Sequence, residues 1–255
     1  MHVHVSPQSG PMLFMSLLSL SVGWSPVCQV GWPSKCVKGD SRVSCPASAT
    51  SMRGNVTQET HVTTTGFWEV STSYVYYLDL HFARALAGFF REERATDVIE
   101  FGAGHGCYTE ALRRLNGQLR VRGFDGSPTI GVQTGGLVMP ADLTTKLASV
   151  TGSSDWVLCL EVAEHIPPRH ESTFLDNLVA SARVGMVLSW SPSTTGVGHV
   201  NPRQQRWVES RLRTLGFSKD ANATDVLRKH VRTIFWLKEG VMVFRRVRFM
   251  PLTSA

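Results

Sequence analysis

The chain has 255 residues, 42% of them hydrophobic, with 26 Lys or Arg against 20 Asp or Glu and a formal charge of +6. That is enough apolar material to bury the core of one large domain. The charge is modest for this length and the arginines are dispersed, so composition singles out no nucleic-acid partner, and no internal repeat is present.

Residues 1–65 are rich in Ser, Thr, Pro and Gly and carry little periodicity. They read as a low-complexity tail that cannot offset its ordering entropy, with the folded domain spanning 66–255. Within the tail, Met12 to Val22 is apolar but too short to span a bilayer; it is similar to the core of a secretory signal, with histidines in place of the usual Lys or Arg before it. The compartment is left open between the cytoplasm and the secretory pathway. Cys28, Cys36 and Cys45 are odd in number and lack zinc-type spacing, so they define neither a disulfide framework nor a metal site. Asn55-Val56-Thr57 and Asn222-Ala223-Thr224 fit the glycosylation pattern, which matters only in a secreted chain.

From Gly66 the pattern becomes regular. Apolar residues at Tyr76, Leu80, Ala83, Ala87 and Phe90 predict an amphipathic helix over Ser73–Glu93. There follow a strand at Asp97–Phe101, a helix at Cys107–Leu115, strands at Arg120–Phe124 and Trp156–Leu160, a helix at Glu171–Ala182 and a strand at Gly185–Trp190. Asn201 as cap, Pro202 at the first helical position and Gln204 reaching back predict a helix over Pro202–Leu215. A short strand from Phe217 and an alternating one at Val241–Arg246 complete the order. The fold class is therefore α/β: a doubly wound, mostly parallel sheet with helices on both faces and an antiparallel C-terminal edge strand. Ser191 to Val200 forms a loop beyond the carboxyl end of a strand, where ligands of such sheets bind, and is read as a substrate lid.

The most informative stretch is Val98 to Asn116, VIEFGAGHGCYTEALRRLN, in which a strand runs through a glycine-studded turn into a helix. A dinucleotide fingerprint would need Gly or Ala at position 107, where this chain has Cys107. Glu100, at the strand's end, can meet an ammonium group but would repel a diphosphate. A tight turn with no ligand is the alternative. The pattern E-x-G-x-G-x-G resembles motif I of the class I S-adenosyl-L-methionine-dependent methyltransferases, and the resemblance extends over roughly Gly66 to Val247. It implies the Rossmann-like fold of that family and a cofactor site formed by Glu100, Gly102, Ala103, Gly104 and Gly106. In GFDGSP it implies that Asp125 holds the cofactor ribose, although by its sequence Asp125 can equally cap the turn that follows it. It further implies that Asp142 and Leu143 contact the adenine, and LCLEVAEHIPP is similar to the family's fourth strand and the loop after it. Glu161, at that strand's end, is expected to line the methionine or acceptor side of the pocket.

A sulfonium already makes its methyl group electrophilic, so the protein has chiefly to align the acceptor and exclude water. A hydroxyl acceptor would also use a general base, for which His165 and His199 are the candidates. His165 can instead cap the next helix with Glu164, and His199 can be an ordinary loop histidine. The run E-x-x-E-H lacks the leading histidine of H-E-x-x-H or H-x-x-E-H, so no metal is assigned. Cys107 and Cys159 read as small apolar packing residues. No Asn-Pro-Pro-aromatic motif follows the fourth strand, which disfavours a DNA or glutamine amine. The expected activity is methyl transfer to a small molecule, at oxygen; the alternatives are a silent cofactor-binding scaffold of the same fold and a nicotinamide-dependent oxidoreductase. The oligomeric state has no signature in the sequence.

Overall fold

The computed structural model describes residues 28–30, 37–38, 43–44, 61–69 and 76–247. The signal-like segment at 12–22, Cys36, Cys45 and Asn55-Val56-Thr57 lie outside them. The strands are β1 (Cys28–Val30), β2 (Val37–Lys38), β3 (Val43–Ser44), β4 (His61–Val62), β5 (Trp68–Glu69), β6 (Tyr76–Leu78), β7 (Asp97–Phe101), β8 (Arg120–Asp125), β9 (Val138–Pro140), β10 (Ser154–Cys159), β11 (Ala182–Leu188), β12 (Phe217–Lys219) and β13 (Met242–Arg246). The helices are α1 (Leu80–Glu92), α2 (Cys107–Leu115), α3 (Ile130–Gln133), α4 (Ala148–Thr151), α5 (Glu171–Ser181), α6 (Gln205–Thr214), α7 (Ala221–Lys229) and α8 (Phe235–Gly240).

Seven strands form one sheet in the order β12-β13-β11-β10-β7-β8-β9. From β11 to β9 all neighbours are parallel, while β13 runs antiparallel to both β11 and β12. The reversed strand is thus the penultimate one, and Phe217–Lys219 forms the edge. Because successive strand residues face opposite ways, the central strands feed two cores. Val98, Trp156, Leu158, Val187 and Val243 pack with α1, α2 and α7, and Ile99, Phe101, Val157, Met186 and Phe244 pack with α5 and α6. Burial on both faces explains the apolar runs Val98-Ile99 of β7 and Trp156 to Cys159 of β10.

Several boundaries differ from the sequence expectation for local reasons. The first helix starts at Leu80, not Ser73, because Asp79 caps it through Phe82 N–H to Oδ1 at 3.1 Å, and the aromatic Tyr76 and Tyr77 go into β6. The helix expected from Pro202 begins at Gln205. Asn201 does not cap it: its side-chain amide donates to Glu171 Oε2 at 3.0 Å, beside Arg203, which reaches the same oxygen at 2.8 Å. Strand β13 does not alternate, since Met242, Val243 and Phe244 are all buried between the two helix layers. Asn222-Ala223-Thr224 lies on α7 rather than in a loop, with the Thr224 hydroxyl donating to Asp220 O and accepting from Val243 N–H.

Candidate functional site

The chain runs from β7 outward to β8 and β9, then returns across the sheet to β10 on the other side of β7. The carboxyl ends of β7 and β10 therefore flank a topological switch point, where open α/β sheets bind ligands. At the end of β7 the chain must turn at once into α2. Gly102, Gly104 and Gly106 all adopt left-handed backbone, with φ of 69°, 52° and 78°, which side chains disfavour. At Gly102 the demand is also steric, because a Cβ would stand 2.1 Å from Val162 Cγ2. Ala103 N–H donates to Phe124 O at 3.0 Å and Gly104 N–H to Asp125 Oδ2 at 2.8 Å, which fastens the loop to the end of β8.

These acids are held under strain of solvation rather than geometry. Glu100 is 4% exposed and accepts a hydrogen bond from the Thr109 hydroxyl. Burial pushes its pKa up to about 7, against the pull of Thr109. Burial likewise raises the Asp125 carboxyl, opposed by the amides of Ser127 and Gly104. Since Ser127 N–H donates to Asp125 Oδ1 at 3.0 Å, Asp125 does cap its turn, and the same side chain also borders the cavity. Asp142 accepts from Thr144 N–H at 2.8 Å and from its hydroxyl at 2.7 Å, an Asx turn that presents Leu143 beside it.

One cavity of about 670 Å³ is lined by Glu100, Gly102, Ala103, Gly104, Asp125, Asp142 and Leu143 together with Glu161, Glu164, His165 and His199. The structure thus brings all but one of the expected site residues together. Gly106 stands behind this wall as the left-handed residue that opens α2, where a Cβ would meet Leu137 and Val138 at 2.8 Å. Thr195, Gly196 and Val197 of the expected lid also border the cavity.

After β10 the backbone is unusual again: Glu161 takes φ 56°, a conformation rare for a non-glycine and concentrated at functional sites. Its N–H donates to Ser189 Oγ at 2.7 Å, and that hydroxyl donates back to Glu161 Oε1 at 2.8 Å. A single 3₁₀ turn, Ala163–His165, then carries Glu164 and His165 inward. Glu164 is fully buried; its oxygens accept from no N–H or hydroxyl donor, and its carboxyl neighbours that of Glu161, with which it can share a proton. Burial and the neighbouring Glu161 push its pKa well up; the amides of Glu164 and Ser191 pull the other way without completing a bond. The end of the 191–200 loop is tied to this turn, because Val200 and Asn201 N–H both donate to Glu164 O at 2.9 Å.

Each histidine is oriented by a backbone carbonyl. His165 Nδ1 lies 3.0 Å from Gly198 O, and His199 Nδ1 lies 2.7 Å from Ser193 O. A carbonyl only accepts, so Nδ1 carries the proton in both rings and the lone pair is on Nε2. The rings meet edge to face with centroids 5.0 Å apart. Burial holds His165 down at about 4, hence neutral at pH 7. Glu164, His165 and His199 each place a potential ligand atom within 4.8 Å of the others. The sequence pattern carried no metal assignment because its local run lacks a leading histidine. The fold supplies the second histidine from the lid instead. A buried carboxylate between two carbonyl-oriented imidazoles is a donor set that could hold a divalent metal ion, with the carbonyls as outer support.

Sequence reasoning missed the rest of the wall. Tyr77, Ile234, Trp236 and Leu237 border the cavity, and they come from a three-residue strand and from a six-residue helix with the residue before it, both too short to show a period. Asp79 holds this wall: its Oδ2 accepts from the N–H of Arg232 at 2.6 Å and Thr233 at 2.7 Å, and its own N–H donates to Tyr108 Oη at 3.3 Å. Cys107, read as apolar packing, instead forms a disulfide with Cys28, so the segment read as a tail contributes a buried residue beside the site. Cys159 does pack as a buried free thiol.

No protein-family model and no curated protein matches the chain. Solved structures do. An amino pentose methyltransferase from Micromonospora echinaspora, solved with S-adenosylmethionine bound, aligns at 14% identity and a TM-score of 0.51, over 67% of this chain and 92% of that one. The magnesium protoporphyrin IX methyltransferase of Synechocystis PCC 6803 aligns at 18% identity and 0.48, over 66% and 83%. A small RNA methyltransferase aligns at 15% identity and 0.49, over 65% of this chain and 25% of that one. The sheet order, its reversed penultimate strand and the first of these alignments agree: the chain has the Rossmann-like fold of the class I S-adenosylmethionine-dependent methyltransferases.

Proposed function

We propose that this chain transfers the methyl group of S-adenosyl-L-methionine to an oxygen of a small molecule, beside a divalent metal ion held by Glu164, His165 and His199. The observation that carries this reading is that one cavity joins the carboxylates of the glycine loop, Glu100 and Asp125, to the Glu164–His165–His199 cluster. Asp125 would hold the ribose hydroxyls, Asp142 and Leu143 the adenine, and Glu100 the ammonium group, whose charge suits a buried carboxylate far better than a diphosphate does. The bound cofactor would supply an electrophilic methyl group, and a bound metal ion would lower the pKa of an acceptor hydroxyl.

The chain's own residues do the rest. The left-handed loop at Gly102 and Gly104 lets backbone approach the cofactor closely. Glu161, fixed by Ser189, narrows the space between cofactor and acceptor. The lid, tied to Glu164 by two backbone bonds and to His165 through Gly198, excludes water and delivers His199. Tyr77, Trp236 and Leu237 offer an apolar, partly aromatic wall to the body of the acceptor. General-base catalysis by His165 or His199 would use the same Nε2 lone pairs as metal binding, so the two roles are separated by metal dependence.

The test is transfer of label from S-adenosylmethionine to a panel holding a metabolite extract, amino sugars, porphyrins and short RNA, with and without EDTA, the products identified by mass spectrometry. Labelled small-molecule product that disappears with EDTA and returns with Mn²⁺, Mg²⁺ or Zn²⁺ supports the reading. Turnover unaffected by EDTA removes the metal and leaves the histidine base; label found only in RNA overturns the small-molecule assignment. Absence of S-adenosylmethionine binding, with saturable NAD binding in its place, would favour the oxidoreductase.

A further inference from the structure

We propose that β1 is a redox-releasable strap tied to the wall of the cofactor pocket at Cys107, locked by Cys28–Cys107 in the oxidised protein and freed on reduction. Cys107 is the first residue of α2, follows directly on left-handed Gly106, and lines the cavity. Its disulfide partner lies 79 residues earlier in the chain, on a strand of three residues.

Among the described residues β1 has one pairing, with β6 in parallel register: Cys28 opposite Tyr76, Gln29 opposite Tyr77, Val30 opposite Leu78. Neither strand belongs to the seven-stranded sheet. A pair of three-residue strands is too small to persist by itself in water, so among the described residues the buried Cys28 side chain and its covalent bond to α2 are what anchor β1. On its other side, β6 carries Tyr77 into the cavity wall and leads straight to Asp79, which holds the 232–234 segment. The disulfide therefore closes a circuit from the glycine loop through β1 and β6 to the acceptor wall.

Reduction by an external dithiol passes two electrons and two protons to the bond; the S–S bond breaks, Cys28 and Cys107 become thiols, and the dithiol becomes a disulfide. The strap then loses its covalent anchor at Cys107, and β6, which carries Tyr77, stays joined to α2 by non-covalent contacts such as Asp79 N–H to Tyr108 Oη. A disulfide persists in an oxidising compartment and is reduced in a thiol-rich one, so the pocket's state would follow the redox environment.

The inference rests on the cofactor reading above only for its readout. The experiment measures the affinity of the full chain for S-adenosylhomocysteine by calorimetry, oxidised and after dithiothreitol, with the thiol state verified by mass spectrometry. Reduction is expected to weaken binding by about 5- to 150-fold, the usual range of such coupling. The Cys28→Ser variant should bind as weakly as the reduced protein and ignore dithiothreitol. Equal affinity of the verified oxidised and reduced forms, or Cys28 and Cys107 recovered as free thiols from protein never exposed to reductant, overturns the strap. If no form binds, the cofactor reading has failed separately. The strap is then judged by hydrogen exchange over residues 76–78 and 102–109: faster exchange on reduction supports it, and unchanged exchange overturns it.

Discussion

His199 Nε2 stands 4.0 Å from Glu164 Oε1, too long for a hydrogen bond and close enough for both to ligate one ion. Glu164 is fully buried on a 3₁₀ turn, and His199 arrives from the lid with its ring oriented by Ser193 O. A carboxylate in that position costs several kcal/mol unless it is protonated or paired with a cation. The arrangement makes sense of the orphaned oxygens if a divalent ion completes it.

Glu164→Gln keeps the shape and removes the anionic donor. Calorimetric titration with Mn²⁺ should show affinity weakened by more than the roughly 10- to 100-fold that loss of an outer-shell partner costs. S-adenosylhomocysteine binding should be nearly unchanged, since Glu164 is assigned no contact with the cofactor. Wild-type Mn²⁺ affinity in the variant would remove Glu164 from the ligand set.

What could be read beforehand follows the physics of each signal. Asp97–Phe101 and Cys107–Leu115 match the expected boundaries to the residue, because a buried parallel strand is an apolar run with abrupt ends and glycine stops it by conformation. That Glu100, Asp125 and Asp142 would border one cavity was legible because position at or just past a strand's end places a side chain at the carboxyl edge of the sheet. Tyr77, Trp236 and Leu237 were not, since short or irregular segments show no period. The pairings Glu164–His199 and Cys28–Cys107 depend on chain crossings that no local pattern encodes. Asn201 misled because its capping chemistry is spent on Glu171.

The glycine loop yields a steric prediction. In Gly102→Ala the new methyl would need left-handed backbone, at about 1–2 kcal/mol, and would have to displace Val162, the residue after Glu161. Its S-adenosylhomocysteine affinity should collapse while the fold survives by circular dichroism. Asp125→Ala removes the partner of Gly104 and Ser127 N–H and should weaken binding by about 1–3 kcal/mol. Wild-type affinity in both would show that the cofactor sits elsewhere.

Glu100 makes cofactor binding depend on pH. Burial sets its pKa at about 7; Asp125 across on β8 adds to the rise, while Thr109 and Arg113 on α2 oppose it. A cationic ammonium group binds the ionised carboxylate better, so affinity for S-adenosylhomocysteine should rise between pH 6 and 8 with uptake of ligand releasing protons below pH 7. Glu100→Gln should bind weakly and lose that dependence. The stability consequence has the opposite sense: a raised carboxyl pKa means that Glu100 opposes folding as pH rises from the ordinary carboxylate range toward 7. A flat affinity profile in the wild type would place the ammonium group away from Glu100.

Asp79 is a carboxylate whose loss should move both stability and the acceptor wall. Burial would raise its pKa, yet the N–H groups of Thr233, Phe82, Arg232 and Ile234 outweigh it and hold the carboxyl below its usual range. A depressed pKa contributes stability that is complete above the unfolded value, near 4, and is lost as pH falls through the folded one. Asp155, held at about 2 by Thr96, Asp97 and Arg183 against its own burial, acts in the same direction. Asp79→Asn retains the volume but loses the charge shared by these donors, so it should lower stability at pH 7 by about 1–3 kcal/mol. Urea midpoints measured from pH 5 to pH 2 should converge for the two proteins as Asp79 of the wild type protonates. Because Asp79 holds Ile234 and the residues just before it, with Trp236 and Leu237 close after, the variant should also raise KM for the acceptor more than it lowers kcat. A variant that loses stability but keeps the acceptor KM would confine Asp79 to folding and detach the wall from it.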